Sequence, residues 1–240
     1  MLPRRASRAR HSLVGAAAVT LACLGPPVEA QTIRWARQCG TSGTEIAYAV
    51  AAADNSIYVA GEIMNGAFPG FATAGGRDVF LAKFDPQGNR LWVRQFGSAG
   101  EDTALGVAAD NGAVYVVGRT TGALPGQAAV GNTDAFVRRY APDGTEVWTR
   151  QFGTAGVDEA LAVAIIPAGL YIAGRTTGAF PGQTSNSPGT DDAFITRLDQ
   201  EGNQWWTRQF GTTGGDRAHG VAADAGGAYV AGYTLGALIS

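Results

Sequence analysis

The chain has 240 residues, of which 45% are hydrophobic and 16% are charged, with 18 lysines and arginines against 20 aspartates and glutamates. The length alone would permit one or two domains. The nearly balanced charge lacks the basic stripe that marks nucleic-acid binding, so we exclude a nucleic-acid partner.

Residues 1–30 have the three parts of a secretory signal peptide. Four arginines precede an apolar run at 13–24, and residues 28–30 resemble a cleavage site. The run is shorter than the roughly 20 residues that a membrane-spanning helix needs. We predict cleavage before Gln31 and export to the periplasm, the cell surface or the medium, with no transmembrane span. Lipidation at Cys23 and a twin-arginine signal are the alternatives.

The exported part is more acidic than the whole chain. Removing residues 1–30 lowers the basic residues from 18 to 14 and the acidic ones from 20 to 19, which leaves a formal charge of about −5. It keeps a single cysteine, Cys39, and therefore no intramolecular disulfide. Cys39 replaces the phenylalanine found at the same repeat position elsewhere, and we predict that it is a small buried hydrophobic residue.

A six-residue motif, Trp-x-Arg-Gln-Phe-Gly, sets the period of the chain. It stands at 92–97, 148–153 and 206–211, with a variant at 35–40, and its tryptophans are 57, 56 and 58 residues apart. Such a fixed period is the signature of a repeat protein. The repeat domain is 31–240, and its units span approximately 35–91, 92–147, 148–205 and 206–240, the last of them partial.

Each unit has short runs rich in Val, Tyr, Phe, Trp and Thr, separated by Gly, Pro, Asn and Asp. This pattern is typical of strands and turns, and no amphipathic helix follows the signal. In the second unit we predict four strands, near 104–109, 114–119, 135–140 and 146–152. The sequence thus predicts an all-β protein.

The turns before the last strands support this division. They are residues 85–88, 141–144 and 199–202, each ending in glycine, and the first two have proline at the second position. Proline suits that position of a type I turn, and glycine then takes the left-handed conformation, which makes a tight hairpin. Small residues in the first strand and bulky ones in the fourth suit a four-stranded antiparallel β-propeller blade.

The repeat also resembles a known family. The blocks that carry the resemblance are the six-residue motif, Ala-x-x-Val-Ala-x-Asp at 104–110 and 218–224, Tyr-Val-x-Gly-x-Thr at 115–120, and Asp-Ala-Phe at 134–136 and 192–194. Together they resemble the bacterial SBBP-type β-propeller repeat over essentially all of the repeat domain. The resemblance implies a secreted or cell-surface propeller with no general set of catalytic residues. A narrower similarity to quinoprotein dehydrogenase blades rests on Asp85, Gly88 and Trp92.

The number of strands departs from a closed propeller. We predict a leading fourth strand at 33–39, three complete blades, and the first two strands of another. Propellers usually have four to eight blades, so we expect a truncated gene product in preference to a chain that functions as it stands. An open arc would expose strand edges, and self-association that closes the ring into a dimer would cover them.

Repeated acidic residues are the candidate site. One precedes the first strand of each unit and another precedes the third, and both loops emerge at the same end of an antiparallel sheet. The acids are Glu45, Asp78, Asp102, Asp134, Asp158, Asp192 and Asp216. They form a cation- or ligand-binding rim, or they satisfy N–H groups of their own loops or pair with the repeated arginines Arg37, Arg94, Arg150 and Arg208. We favour the structural alternative.

The same end carries the longest loops, 120–133 and 176–191. Loops on a rigid scaffold are common binding sites. The apolar residues at the heads of the loops, Phe68, Leu124 and Phe180, are either exposed anchors for a partner or buried beneath their own loops. We favour burial.

Catalytic arrangements have little support. His219 is the only histidine outside 1–30, and we predict that it is a packed or rim residue, because a zinc site or a nucleophile–base pair needs partners that the sequence does not supply. We predict no catalytic residue, cofactor or metal. The expected function is an exported, noncatalytic binding or surface-scaffold module with a protein or glycan partner. The alternative is a fragment of an exported propeller enzyme, either a quinoprotein-like oxidoreductase or a carbohydrate-active hydrolase.

Overall fold

A computed structural model describes residue 33, residues 35–186 and residues 190–237, and all regular structure within them is β. The predicted signal peptide at 1–30 lies outside the described residues. Fourteen strands form four antiparallel sheets, three with four strands and one with two. They belong to one compact unit that begins at Trp35. In these described ranges there is no helix long and apolar enough to cross a membrane.

The strands follow one another in space as they do in sequence. Sheet 1 contains β1 (Thr44–Ala53), β2 (Ser56–Met64), β3 (Arg77–Phe84) and β4 (Arg90–Phe96). Sheet 2 contains β5 (Asp102–Ala109), β6 (Val114–Thr120), β7 (Asp134–Tyr140) and β8 (Glu146–Phe152). Sheet 3 contains β9 (Asp158–Ile166), β10 (Gly169–Thr176), β11 (Asp192–Leu198) and β12 (Gln204–Phe210). Sheet 4 contains β13 (Asp216–Asp224) and β14 (Gly227–Thr234).

The four predicted strands of the second unit are confirmed, with the first and third beginning one or two residues earlier, at the repeated aspartates. The leading strand predicted at 33–39 is wrong, since its described residues pair with no sheet. A fourth strand forms in the other units only beside a third strand. Within the described chain, no third strand is adjacent to this segment.

A β-bulge near the start of every first strand explains the glycine of the Tyr-Val-x-Gly block. The register shifts at Leu105 in β5 and at the same position in the other three first strands. Because the bulge pushes the first strand toward its partner, a Cβ on Gly118 would overlap the carbonyl oxygen of Thr103, and Gly174 meets Glu159 in the same way. Only glycine accepts that approach.

The sheets stack face to face in chain order. β5 packs on β1 and β2, β9 packs on β5 and β6, and β13 packs on β9 and β10. The first strands therefore lie side by side, and a Cβ on Gly106 of β5 would come within 3.4 Å of the Cα of Ala162 in β9. This close approach explains why the first strands are built from small residues.

Large side chains from both sheets fill each complete interface. Between sheets 1 and 2 these include Tyr58, Leu81, Val116 and Phe136, and between sheets 2 and 3 they include Tyr115, Val137, Ile172 and Phe194. Burying one such aliphatic or aromatic side chain contributes about 1.5–3 kcal/mol. Between sheets 3 and 4 the buried core is smaller and consists of Ala173, Ala193 and Ala218.

The Trp-x-Arg part of the repeated motif connects sheet 1 to sheet 2 and sheet 2 to sheet 3. The indole Nε1 of Trp92 donates to the carbonyl oxygen of Pro142 at 3.2 Å, and Nε of Arg94 donates to that of Gly144 at 2.6 Å. Trp148 reaches Gln200, and Arg150 reaches Gly202, in the same way. The acceptors lie in the hairpin turn between the third and fourth strands of the following sheet.

The predicted turn geometry is confirmed, since Gly88, Gly144 and Gly202 have φ values of 81°, 84° and 79°. Two separate constraints require glycine at these three positions. The left-handed backbone disfavours any Cβ. In addition, a Cβ on Gly202 would lie 3.1 Å from the ring of Trp148, and one on Gly144 would lie 2.9 Å from Nη2 of Arg94.

We expect Gly144→Ala to lower the free energy of unfolding by about 2 kcal/mol. About half comes from the left-handed backbone, and the rest from displacing Arg94 from its carbonyl acceptors. Gly126→Ala is the matched control, because Gly126 has φ 73° but its added Cβ would meet nothing within 4 Å. Urea unfolding followed by tryptophan fluorescence measures both variants. Equal losses would show that the contact with Arg94 adds nothing.

Candidate functional site

The aspartates that begin the first strands of sheets 2, 3 and 4 are buried, whereas Glu45 of β1 is half-buried, and all four acids bond to their own loops. Asp102 and Asp158 have no exposed surface. Asp102 accepts the backbone N–H of Ser98 at 2.6 Å and the Ser98 hydroxyl at 3.0 Å, and Asp158 accepts the same two groups of Thr154 at 2.6 Å and 3.0 Å. Asp216 with Thr212, and Glu45 with Thr41, repeat this arrangement.

The acids that begin the third strands close the long loops. Asp134 is 1% exposed and accepts the backbone N–H groups of Val130 and Gly131 at 2.8 Å and 2.9 Å. Asp78 binds the corresponding N–H groups of sheet 1, and Asp192 accepts that of Asn186. Each carboxylate therefore fixes the path of the loop that leads into it.

The structure brings the two kinds of acid together in pairs. The pairs are Asp78 with Asp102, Asp134 with Asp158, and Asp192 with Asp216, and each pair flanks the glycine that ends the repeated motif. A Cβ on Gly211 would lie 2.7 Å from a carboxylate oxygen of Asp216 and 2.9 Å from one of Asp192. The motif needs glycine here because the two carboxylates leave no room for a side chain.

Burial raises the pKa of the Asp102 carboxyl, and the nearby charge of Asp78 raises it further. The pKa of Asp158 is likewise raised by burial and then by Asp134. Hydrogen bonds from the neighbouring hydroxyl and N–H groups oppose the shift in both cases. Among the described residues, no group of three or more His, Cys, Asp or Glu side chains could hold a metal ion.

The glutamine of the repeated motif joins each acid to its long loop. Nε2 of Gln151 donates to Asp134 at 2.7 Å and to the carbonyl oxygen of Gly122 at 2.9 Å, while its Oε1 accepts the N–H of Leu124 at 2.9 Å. Gln95 and Gln209 bond to Asp78 and Asp192 and hold Phe68 and Phe180 in the same way. We call this unit, an acid with its glutamine, the Gln–Asp clamp.

The clamps present three matching loop tips. Phe68, Leu124 and Phe180 are 3%, 1% and 5% exposed, so their predicted burial under the loops is confirmed. An exposed Pro-Gly pair follows each of them, at 69–70, 125–126 and 181–182. The glycines have φ values of 87°, 73° and 72°, and a backbone hydrogen bond of 2.9 Å closes each turn.

The structure thus confirms that the acids satisfy N–H groups of their own loops. The proposed pairing of the repeated arginines with these acids is wrong for Arg94 and Arg150, because their side chains donate to carbonyl oxygens of the next hairpin turn. Arg37 and Arg208 donate only to the carbonyl of the preceding residue in the described structure. A cation- or ligand-binding role for the acids remains a prediction.

Two sequence predictions about individual residues need correction or refinement. Cys39 is exposed, not buried, because the segment that carries it forms no strand and enters no sheet interface. His219 is an exposed bulge residue of β13, and its ring lies 5.6 Å from that of Tyr233.

Sequence reasoning missed a chain of ion pairs near the end of the sheets that carries the repeated acids, which we call the acid end. Glu159 of β9 binds Arg119 of sheet 2 at 2.8 Å and Arg175 of its own sheet at 2.7 Å, and Arg175 also binds Asp191 at 2.5 Å. Arg217 of sheet 4 then binds the same aspartate. Opposite charges at neighbouring strand positions were the available signal, but each unit uses different residues there.

Burial alone would raise the pKa of Glu159, but the hydrogen bond and charge of Arg175, with those of Arg119, lower it below its ordinary value of 4.5. The ionised carboxylate therefore stabilises the fold above pH 4.5. That stabilisation is lost as the pH falls through the lower pKa of the folded state.

We expect Glu159→Gln to lower the free energy of unfolding by about 1–3 kcal/mol at pH 7, because it weakens bonds to two arginines. The difference from the unmodified chain should shrink as the pH falls through the lowered pKa of Glu159 in the folded state, because the glutamate itself then becomes neutral. Urea unfolding at pH 7 and at pH 3 measures it. A difference that does not change with pH would rule out the charge as its cause.

Gln151→Ala should lower the free energy of unfolding by about 1–3 kcal/mol, because it leaves buried partners of the Gln–Asp clamp unsatisfied. It should also speed hydrogen exchange at the Leu124 amide. Gln87→Ala is the control, since Gln87 is an exposed turn residue. Faster exchange in both variants, or in neither, would be inconsistent with the clamp holding this loop.

The fold and these contacts define an all-β repeat protein whose sheets share one set of loop clamps and inter-sheet bonds. No protein-family model matches the chain. Over 195 residues it is 30% identical to the regulatory protein FlaEY of Caulobacter vibrioides, in an alignment that covers 73% of this chain and 20% of that protein. The chain thus spans about a fifth of the length of the curated relative that it matches.

Proposed function

We propose that this chain is an exported, noncatalytic β-propeller repeat module that binds a protein or glycan partner through the loops at its acid end. The propeller architecture is supported by the four-stranded antiparallel meanders, by their stacking in chain order, and by the side-by-side placement of their first strands. Export is supported by the signal-like composition of residues 1–30.

The observation that carries the binding proposal is the set of matching Pro-Gly tips. Each tip is exposed, but a buried residue on one side and a Gln–Asp clamp beneath it fix its backbone. A loop that is already ordered loses little conformational entropy when a partner binds. The tips therefore form a row of rigid contact points along one end of the sheets.

The loop that follows each tip supplies different side chains to the same scaffold. In sheet 2, residues 127–132 include Val130, which is 53% exposed. A rigid tip followed by a variable segment suits recognition of a repeating surface, such as a glycan or an array of identical protein subunits. The repeated acids support this function by holding the loops, and they need not contact the partner.

Binding to an array of bacterial glycans and to purified peptidoglycan tests the proposal with the full chain. We expect Val130→Asp to weaken binding at least tenfold, because it places a charge in the apolar part of the contact surface. Leu91→Asp is the matched control. Leu91 is 54% exposed, but it lies at the start of β4, at the other end of sheet 1.

Equal effects of the two substitutions would contradict binding through the acid-end loops. Turnover of a bound glycan, or the absorbance of a bound quinone, would favour the enzyme alternative. N-terminal sequencing of protein recovered outside the cytoplasm tests export, with Gln31 as the expected first residue. Recovery of the intact chain from the cytoplasm alone would contradict it.

A further inference from the structure

An open cavity of about 400 Å³ lies between sheets 2 and 3, at the end of the strands opposite the acid end. Its walls are the turn between β5 and β6 at 110–113, the end of β9 at Ile165 and Ile166, and Gln200 in the hairpin turn between β11 and β12. Both sheets have all four of their strands. A volume of roughly 300–1,000 Å³ is typical of sites for small molecules.

A second cavity, of about 430 Å³, adjoins the first. The two share Asp110, Ile165 and Ile166, and the second is also lined by residues 108–109 and Pro167, which are apolar. Together they form one groove between sheets 2 and 3. The groove therefore offers polar and apolar contacts side by side.

The first hairpin of sheet 2 places Asp110 at the groove. The equivalent residue of sheet 3, Ile166, still pairs with Gly169, whereas strand pairing in sheet 2 ends one position earlier. Asp110 instead closes its turn, because its Oδ1 accepts two backbone N–H groups of the turn, both at 2.8 Å. Its Oδ2 has no partner in the described structure, so it can accept a hydrogen bond from a ligand in the groove.

Tyr115 forms the floor of the groove. It is 1% exposed, and its ring packs beside that of Trp148, with centroids 6.0 Å apart. Its hydroxyl forms no hydrogen bond within the described structure. Burial raises the pKa of this hydroxyl, so it stays protonated at neutral pH and can both donate and accept. Because buried polar groups in proteins are normally hydrogen-bonded, its partner comes from the groove.

Arg139 supplies a donor on the same wall. Its Nη1 donates to the main-chain oxygen of Gln200 at 2.9 Å, which fixes the guanidinium 5.9 Å from the ring of Tyr115. Neither its Nε nor its Nη2 has a partner in the described structure. Gln200 in turn donates through Nε2 to the carbonyl oxygen of Pro167 at 2.8 Å. The polar groups of the groove are therefore held in place before a ligand arrives, which lowers the entropy lost on binding.

The charges that line the groove balance. Among its described lining residues, the charged side chains are Asp110 and Arg139. They act on the Tyr115 hydroxyl in opposite directions, since Arg139 lowers its pKa and Asp110 raises it. An ion of either sign would meet one like charge here. A neutral ligand whose groups both donate and accept can bond to both residues, and hydroxyl groups have this property.

We propose that this groove is a binding site for a neutral saccharide, separate from the loops at the acid end. Asp110 accepts a hydrogen bond from one sugar hydroxyl, and Arg139 donates to another. The Tyr115 hydroxyl bonds to a third group of the sugar. The C–H face of the sugar ring packs on Ile165 and Ile166.

Saturation-transfer NMR of the full chain with neutral sugars tests the site. We expect saturable binding of at least one of glucose, galactose, mannose, N-acetylglucosamine and maltose, and no binding of the amino acids glycine and glutamate. Absence of binding by all of these sugars overturns the proposal. Binding of the amino acids in their place would assign the groove to a charged ligand and also overturn it.

Tyr115→Phe isolates the contribution of the hydroxyl. Because this oxygen bonds to nothing in the described structure, its removal should leave the unfolding temperature unchanged. It should weaken binding of the sugar about fivefold to tenfold, through the loss of one hydrogen bond. A Tyr115→Phe variant that binds as tightly as the unmodified chain would contradict the proposal.

Asp110→Asn keeps a side-chain oxygen for the turn but removes the charge. It should weaken sugar binding about tenfold, because a charge-assisted hydrogen bond becomes a neutral one. Titration of the same sugar measures the loss, and circular dichroism verifies the fold. Unchanged affinity would exclude Asp110 as a ligand-binding residue and overturn the assigned contacts.

Tyr58→Phe is the matched control. Tyr58 has the same repeat position in sheet 1, is 1% exposed and lies 6.0 Å from the ring of Trp92, but it does not line the groove. It should leave sugar binding unchanged, and a loss equal to that of Tyr115→Phe would overturn the proposal. Val130→Asp should also leave it unchanged, so that failure of the acid-end proposal and failure of this one can be told apart.

Discussion

A hydrogen bond from an indole N–H to the main chain of the next sheet is the directional contact that joins the three complete sheets. Trp92 donates to the turn of sheet 2, and Trp148 donates to that of sheet 3. The adjacent arginine adds a second bond to each turn. Apolar burial holds neighbouring sheets together, but it is nondirectional, whereas these bonds fix the angle and register at which the outer edges meet.

Much of this fold could be predicted from the sequence, because its repeat shows the same local preferences several times. The turn that ends at Gly144 was predictable, since proline and glycine act on their own backbone. The glycine at 118 was recognisable as a repeated position, but its cause was not. That cause is a bulge in the neighbouring strand, which depends on pairing between residues distant in sequence.

The residues of the candidate site could be predicted from the sequence, but their hydrogen-bond partners could not all be predicted. The repeated aspartates were correctly expected to bind their own loops. The partner of Arg94 was missed because a main-chain carbonyl has no side-chain signature. The exposure of Cys39 was missed for a different reason. Its repeat position predicts burial only when a third strand lies beside it, and the described residues supply none.

Main-chain acceptors have a consequence for how such a chain can diverge. Trp92 binds the carbonyl of Pro142, whereas Trp148 binds that of Gln200, at the equivalent turn position. Any amino acid supplies that main-chain oxygen, so the acceptor residue can be substituted while the hydrogen bond is kept. A duplicated unit can form this hydrogen bond with its neighbour without a compensating mutation in the neighbour, provided that the tryptophan and the turn glycine remain. Adding units to the array then requires no co-evolution of the residues that meet between adjacent sheets.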